Sequence, residues 1–199
     1  MRSTIGDLKP TKVVSLLIVV GLLFAITATP AKANDESSLC SLDALPVELQ
    51  NRLKREFATW KIQEAPNLRA RAKGRWGDQK PLDCPGIAVG RFEGADNSYA
   101  VLLVPTDNPD TAYKLLVFTP DASKPADTLK SVEQWDKGGA SNYFLHQIKI
   151  KDFFSPEWVR KLHVKTKDGI LFVDAGETEY EADIYFWADG RYRHEPIDE

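Results

Sequence analysis

GRFEGADNSYAVLLV, residues 90–104, is the stretch whose reading decides how this chain is built. Its centre, Glu93-Gly94-Ala95-Asp96-Asn97, reads either as a cation-binding loop or as the bend of a β-hairpin. Alternating residues from Ile87 to Phe92 lead into it, and β-formers from Ser98 to Val104 follow it. Gly, Asn and Asp are the residues that tight turns demand, so the hairpin reading predominates, with Gly94 and Asn97 expected in the unusual turn dihedrals. A cation such as calcium takes about six to eight oxygen ligands. Glu93, Asp96 and Asn97 supply too few side-chain donors and are weak metal candidates; no metal or other cofactor is expected.

Outward from this hairpin the chain keeps reading as β. Tyr113–Thr119, Thr128–Trp135 and Tyr143–Ile150 are expected strands, separated by local turn residues. Leu162–Thr166 and Ile170–Asp174 flank Lys167-Asp168-Gly169, and Glu181–Trp187 and Arg191–Glu195 flank Ala188-Asp189-Gly190. Asp-Gly between apolar runs is a strong hairpin signal, so both pairs are expected to be hairpins. Ser155-Pro156-Glu157-Trp158 opens a short helix near residues 156–162.

Upstream, Leu49, Leu53, Phe57 and Trp60 recur at helical spacing behind Leu45-Pro46-Val47-Glu48. The other face carries Arg52, Lys54, Arg55 and Glu56, which makes an amphipathic helix suited to covering a sheet. Residues 61–86 lose periodicity and read as a long loop with a helical turn near Leu68–Lys73. The expected class is α+β, an N-terminal amphipathic helix packed on a predominantly antiparallel sheet.

The first 33 residues read as a signal peptide. Arg2, Lys9 and Lys12 precede an apolar run from Val13 to Ala28, and Ala31-Lys32-Ala33 supplies a small-x-small cleavage site. The run is slightly shorter than the ~20 residues of a spanning helix, although a retained anchor is the competing reading. Cleavage leaves residues 34–199 as a single exported domain, periplasmic or secreted, without a stable membrane span. The full chain holds 26 Lys and Arg against 29 Asp and Glu; losing Arg2, Lys9, Lys12, Lys32 and Asp7 leaves 22 against 28, a net charge of −6. Such an acidic balance argues against nucleic acid as a partner. Cys40 and Cys84 are an even pair in an exported chain and are expected to form a disulfide.

Three local patterns resemble, together, the small exported bacterial proteins that carry a degenerate FG-GAP or VCBS-like hairpin. They are Leu45-Pro46-Val47-Glu48-Leu49 with Phe57-Ala58-Thr59-Trp60, then Gly90-Arg91-Phe92-Glu93-Gly94, and finally Tyr185-Phe186-Trp187-Ala188-Asp189-Gly190-Arg191-Tyr192. The resemblance implies an architecture and carries no established activity. It weakens the cation loop further, because Arg91 stands where that pattern has its leading Asp and Ala95 where it has a later one.

Catalytic spacing is missing. There is no Gly-x-Ser-x-Gly, Ser-x-x-Lys, Walker loop or Gly-x-Gly-x-x-Gly, and His146, His163 and His194 lie far apart. Two binding surfaces remain as candidates. One is the basic strip Arg69, Arg71, Lys73 and Arg75, whose other reading is a solvated face. The second is an aromatic sheet face including Tyr185 and Trp187, whose other reading is core. The expected function is a non-enzymatic binding or accessory protein of the envelope, inhibitor- or immunity-like, with an envelope protein or glycan as partner. The alternative is an envelope-polymer hydrolase with a carboxylate pair assembled in the fold, for example from Glu177 and Glu179.

Overall fold

The computed structural model describes residues 40–79, 84–94, 96–121, 128–176 and 180–197. The expectations for residues 1–33 and for Glu177 and Glu179 lie outside them. Two antiparallel sheets form the framework. The first holds β1 (Trp60–Ile62), β2 (Ile87–Gly90), β3 (Ser98–Pro105), β4 (Tyr113–Phe118) and β5 (Leu129–Trp135). The second holds β6 (Tyr143–Lys149), β7 (Asp168–Asp174), β8 (Glu181–Ala188) and β9 (Arg191–Ile197) in sequence order. The α+β class is as the pattern of strands and turns implies, with two sheets where one was expected.

Residue alternation explains why a second sheet is needed. Along β3, Ala100, Leu102 and Val104 face one way and Val101 and Leu103 the other, and all are buried. The first set meets Leu145, Ile170, Phe172 and Tyr185 of the second sheet. The second set lies under helix α1 (Val47–Glu56), through Leu49 and Leu53. The outer face of the second sheet, with Phe144, Val173, Ile184 and Phe186, is covered by α2 (Ala70–Gln79) and by α3 (Ile150–Phe153), α4 (Pro156–Lys161) and their neighbours. The order of layers is therefore helix, sheet, sheet, helices. Each large apolar side chain buried this way contributes about 1.5–3 kcal/mol.

Several local expectations change in detail. Helix α1 ends at Glu56, with Glu48 in its first turn and Lys54 and Arg55 in its last, the charge order its dipole favours. Trp60 lies beyond it, in β1, whose partners are Leu103–Pro105 of β3. The expected loop over residues 61–86 contains a full helix, α2, because Ala72 and Trp76, one turn apart, both bury against the second sheet. Neither Gly94 nor Asn97 takes a left-handed backbone; among the described residues that conformation belongs to Gly138, Gly139, His163, Asp189 and Gly190.

The Asp189-Gly190 turn forms as expected, with φ of 51° and 80°, the two positive values a tight hairpin turn requires. The hairpin expected around Lys167-Asp168-Gly169 does not. Asp168 and Gly169 begin β7 and pair with Lys149 and Ile148, while residues 162–166 make only an isolated bridge, Val164 to Ala188. Residue 169 is closely surrounded: a Cβ there would lie 2.7 Å from Ile150 Cδ1, which would have to turn aside, and 3.2 Å from the Tyr185 carbonyl oxygen. Among the described residues no helix is long and apolar enough to cross a membrane.

Candidate functional site

Where the end of β2 lies beside the end of β6, helices α3 and α4 fold over the seam and enclose a groove of about 930 Å³. Its walls come from Val89–Arg91 and Asn97 of the first hairpin, from the end of β6 with the start of α3, from one side of α4, and from Thr166–Asp168, segments that the sheet topology brings together. Among the described residues five cations line it, Arg91, Lys149, Lys151, Arg160 and Lys167, against a single acid, Asp168. The chain as a whole carries a formal charge of −3, so the groove reverses the sign of the protein around it.

Asp168 does not offset this charge freely. It is 4% exposed; one carboxylate oxygen accepts from Lys149 Nζ at 2.6 Å and the other from the Arg91 backbone N–H at 2.9 Å. Burial pushes its pKa up, but the Lys149 ammonium and the Arg91 N–H outweigh that and hold it below the usual carboxylate range. It is a structural clamp joining β2, β6 and β7, and it fixes the groove mouth. Arg91, Lys151, Arg160 and Lys167 expose their side chains, and among the described residues none forms an ion pair.

The uncharged lining is mixed: Val89, Ile150, Phe154, Pro156 and Val159 are apolar, while Asn97, Gln147 and Thr166 are polar. Val89 is 45% exposed within it. Phe154 stacks on Trp158 with ring centroids 3.7 Å apart, and Trp158 packs edge-on against Phe186 of the sheet. Ser155 caps α4 by accepting from the Trp158 N–H, which holds this wall in place. Thr166 Oγ1, buried in the wall, has no hydrogen-bond partner among the described residues.

Replacing Asp168 by Asn should cost about 2 kcal/mol at neutral pH, the scale of a hydrogen bond to a charged group. A pKa lowered by folding adds stability above the unfolded value of about 3.9, and that stability is lost as pH falls through the folded value. The difference between parent and Asp168→Asn in urea denaturation should therefore be full at pH 7 and shrink below about pH 3.9. A gap that persists unchanged into strong acid would contradict the clamp.

The basic strip is placed differently from the groove. Arg69 reaches Asp110 at 2.9 Å, and Asp110 also accepts from the Ser141 hydroxyl at 2.6 Å. Burial raises the Asp110 pKa, but Ser141 and Arg69 together lower it below the ordinary value. Arg75 lies 5.4 Å from the centre of the Tyr180 ring. Arg69 precedes α2, and within the helix the residues at 71 and 75 share one flank while Lys73 lies on another, so the four do not form a single row.

The aromatic candidates go largely to the core. Tyr185 is 5% exposed between the sheets, beside Phe172. Trp187 is half-buried, with Tyr192 edge-on at 5.1 Å and Lys130 Nζ 5.3 Å from its ring. Tyr113, Tyr143 and Phe172 form one ring cluster with centroids 4.7–5.2 Å apart. His146 is buried on β6 with its ring against Phe144.

Glu93 bonds Lys130 at 2.7 Å and the Tyr192 hydroxyl at 2.9 Å, which ties the β2–β3 turn to β5 and β9. Asp96 and Asn97 are exposed. Among the described residues no group of three or more His, Cys, Asp and Glu is placed to hold a metal ion. Elsewhere, burial raises the pKa of Glu133, which accepts from the Tyr113 hydroxyl at 2.7 Å and feels the charge of Asp183. Glu133 lies on β5 of the first sheet and Asp183 on β8 of the second, and neither lines the groove.

No family model, curated protein or solved structure matches this chain. The groove was not legible in the sequence because its cations come from separate segments, with acids such as Asp152 and Glu157 interleaved along residues 149–167. The one local signal was the six Lys and Arg of residues 149–167, more than the four of Arg69–Arg75 but more widely spaced.

Proposed function

We propose that this chain is an exported, non-enzymatic binding protein whose ligand is anionic and is held in the groove between β2, β6, α3 and α4. The observation that carries the reading is the gathering of five cations around one concave site whose single carboxylate is already engaged. Low-dielectric walls lined by one sign of charge focus the field and raise the local concentration of an oppositely charged ligand. The volume falls within the range of pockets that enclose small ligands, about 300–1,000 Å³.

Export is supported by the charged start, apolar run and Ala-x-Ala site of the first 33 residues. The Cys40–Cys84 pairing, with both cysteines buried, suits an oxidising compartment. A hydrolase using a carboxylate pair is favoured less, since the groove offers Asp168 alone and the Lys149 and Arg91 contacts keep it ionised. The likeness of Gly90–Gly94 to FG-GAP-type hairpins is compatible with an envelope protein and adds no activity.

The test is a titration with inorganic pyrophosphate followed by backbone amide NMR. The expected shifts fall at residues 89–91, 149–151 and 166–168. The triple variant Lys151→Glu, Arg160→Glu, Lys167→Glu should bind at least tenfold more weakly, about 1.4 kcal/mol, while keeping its urea midpoint. All three side chains are exposed, so the variant tests charge rather than folding. Shifts centred on Arg69–Arg75 would move the site to the basic strip and overturn this reading.

A further inference from the structure

The groove is not only cationic. Its floor and one wall are apolar, built from Val89, Ile150, Phe154 and Val159. Val89 stands 45% exposed on a strand whose alternate residues are buried, and Phe153 at the adjoining end of α3 is 46% exposed. A site for a fully hydrated anion needs no such surface, since phosphate or sulfate gains nothing from contact with Val or Phe. A site for a neutral apolar molecule needs no ring of cations around it. Apolar floor and cationic rim occur here in one concavity, and the Lys and Arg stems extend the apolar surface while their heads stay in water.

We infer that the groove binds a small anionic amphiphile, with an apolar tail along Val89, Phe154 and Val159 and a phosphate or carboxylate head among Arg91, Lys151, Arg160 and Lys167. This rests on the anionic-ligand reading of the same groove and goes beyond it by naming the class of ligand. The enclosed volume of about 930 Å³ suits one small molecule rather than an extended polymer. Charge complementarity selects the head; the rigid Phe154–Trp158 stack supplies a preformed surface for the tail. A free anionic amphiphile and the exposed part of a membrane lipid share this chemistry, and a comparison of soluble and bilayer forms separates them.

The experiment is isothermal titration of the purified, disulfide-bonded protein with dodecyl phosphate below its micelle concentration, with inorganic phosphate, and with dodecyl maltoside. Dodecyl phosphate should bind about a hundredfold more tightly than inorganic phosphate, the equivalent of burying three or four methylenes, and at least tenfold more tightly than dodecyl maltoside, which has the same tail and lacks the charged head. Val89→Ser, at an exposed position, should reduce dodecyl phosphate binding severalfold and leave inorganic phosphate unchanged. Equal binding of phosphate and dodecyl phosphate, both lost in the triple charge reversal, overturns the amphiphile inference and leaves the anion site standing. Equal binding of dodecyl maltoside and dodecyl phosphate, or no binding by any probe, overturns the amphiphile and the anionic-ligand readings together. Vesicles containing an anionic phospholipid then distinguish the source. Sedimentation with them, lost in Val89→Ser, assigns a lipid held in its bilayer; binding confined to dodecyl phosphate assigns a free amphiphile.

Discussion

Removing the Cys40–Cys84 bridge, by the double substitution Cys40→Ala and Cys84→Ala, is expected to lower the stability of this protein by about 4 kcal/mol. The bridge closes a loop of 44 residues, and the chain-entropy relation assigns that loop a cost near this value in the unfolded state. The native side of the balance points the same way. Both cysteines are buried in the cluster that packs α1 on the first sheet, beside Leu49, Leu53, Val101 and Phe118. Cys84 is followed at once by Pro85, whose carbonyl accepts from the Leu145 N–H at 2.8 Å, and then by β2. The bridge therefore anchors the start of the strand that carries Val89 and Arg91 into the groove. Urea denaturation of oxidised parent against the double variant measures the loss. Dithiothreitol treatment of the parent should give a similar shift without any change of side-chain volume. A loss under about 1 kcal/mol in both would mean that the unfolded chain is already restrained over this loop.

The elements legible in the sequence are those whose local chemistry and tertiary setting agree. Helix α1 could be read because Leu49 and Leu53 serve both the helical period and the core. The Asp189-Gly190 turn could be read because a tight hairpin needs two left-handed residues and Asp-Gly supplies them. Where the two levels diverge, the sequence misleads. Asp168-Gly169 has the same dipeptide, yet the aspartate is consumed by Lys149 and the Arg91 N–H, and the glycine by the approach of Ile150. Helix α2 was obscured by Gly74 and Gly77 and by having only two buried contacts, Ala72 and Trp76. The double apolar character of Ile184-Tyr185-Phe186 was visible, and its cause was not. Ile184 and Phe186 face the helical layer while Tyr185 faces the other sheet. The groove is a longer-range product still, since it exists only once β2 has been set against β6.

That placement depends on one crowded junction, and Gly86→Ala is expected to cost about 3 kcal/mol there, the upper end for overpacking. Strands β1 and β2 lie end to end along the same edge of β3, and they meet at Leu102. The Leu102 N–H donates to the Gly86 carbonyl at 2.9 Å, and the Leu102 carbonyl accepts from the Gln63 N–H at 2.9 Å. A Cβ on residue 86 would lie 2.5 Å from the Gln63 backbone oxygen, 2.7 Å from its nitrogen and 2.8 Å from Ile62 Cγ2. Two of those three neighbours are backbone atoms, so no rotamer change relieves the clash. Gln63 cannot easily withdraw, because it is fully buried and its side-chain amide donates to the Ala140 carbonyl at 2.9 Å. Shifting Gln63 would break that bond and strain the approach to β6; shifting Gly86 would instead give up its bond to Leu102 and carry β2 with it. Either route loses a buried hydrogen bond, with a desolvation penalty of about 1–3 kcal/mol for the group left unpaired. The two routes differ in what happens to the groove. If β2 moves, Val89 and Arg91 move too, and dodecyl phosphate binding should fall under conditions where the variant is still folded. If Gln63 yields, binding should survive the same loss of stability. Measuring the urea midpoint and the affinity on one Gly86→Ala preparation separates the two, and a midpoint equal to that of the parent would show that the junction holds room for a methyl group after all.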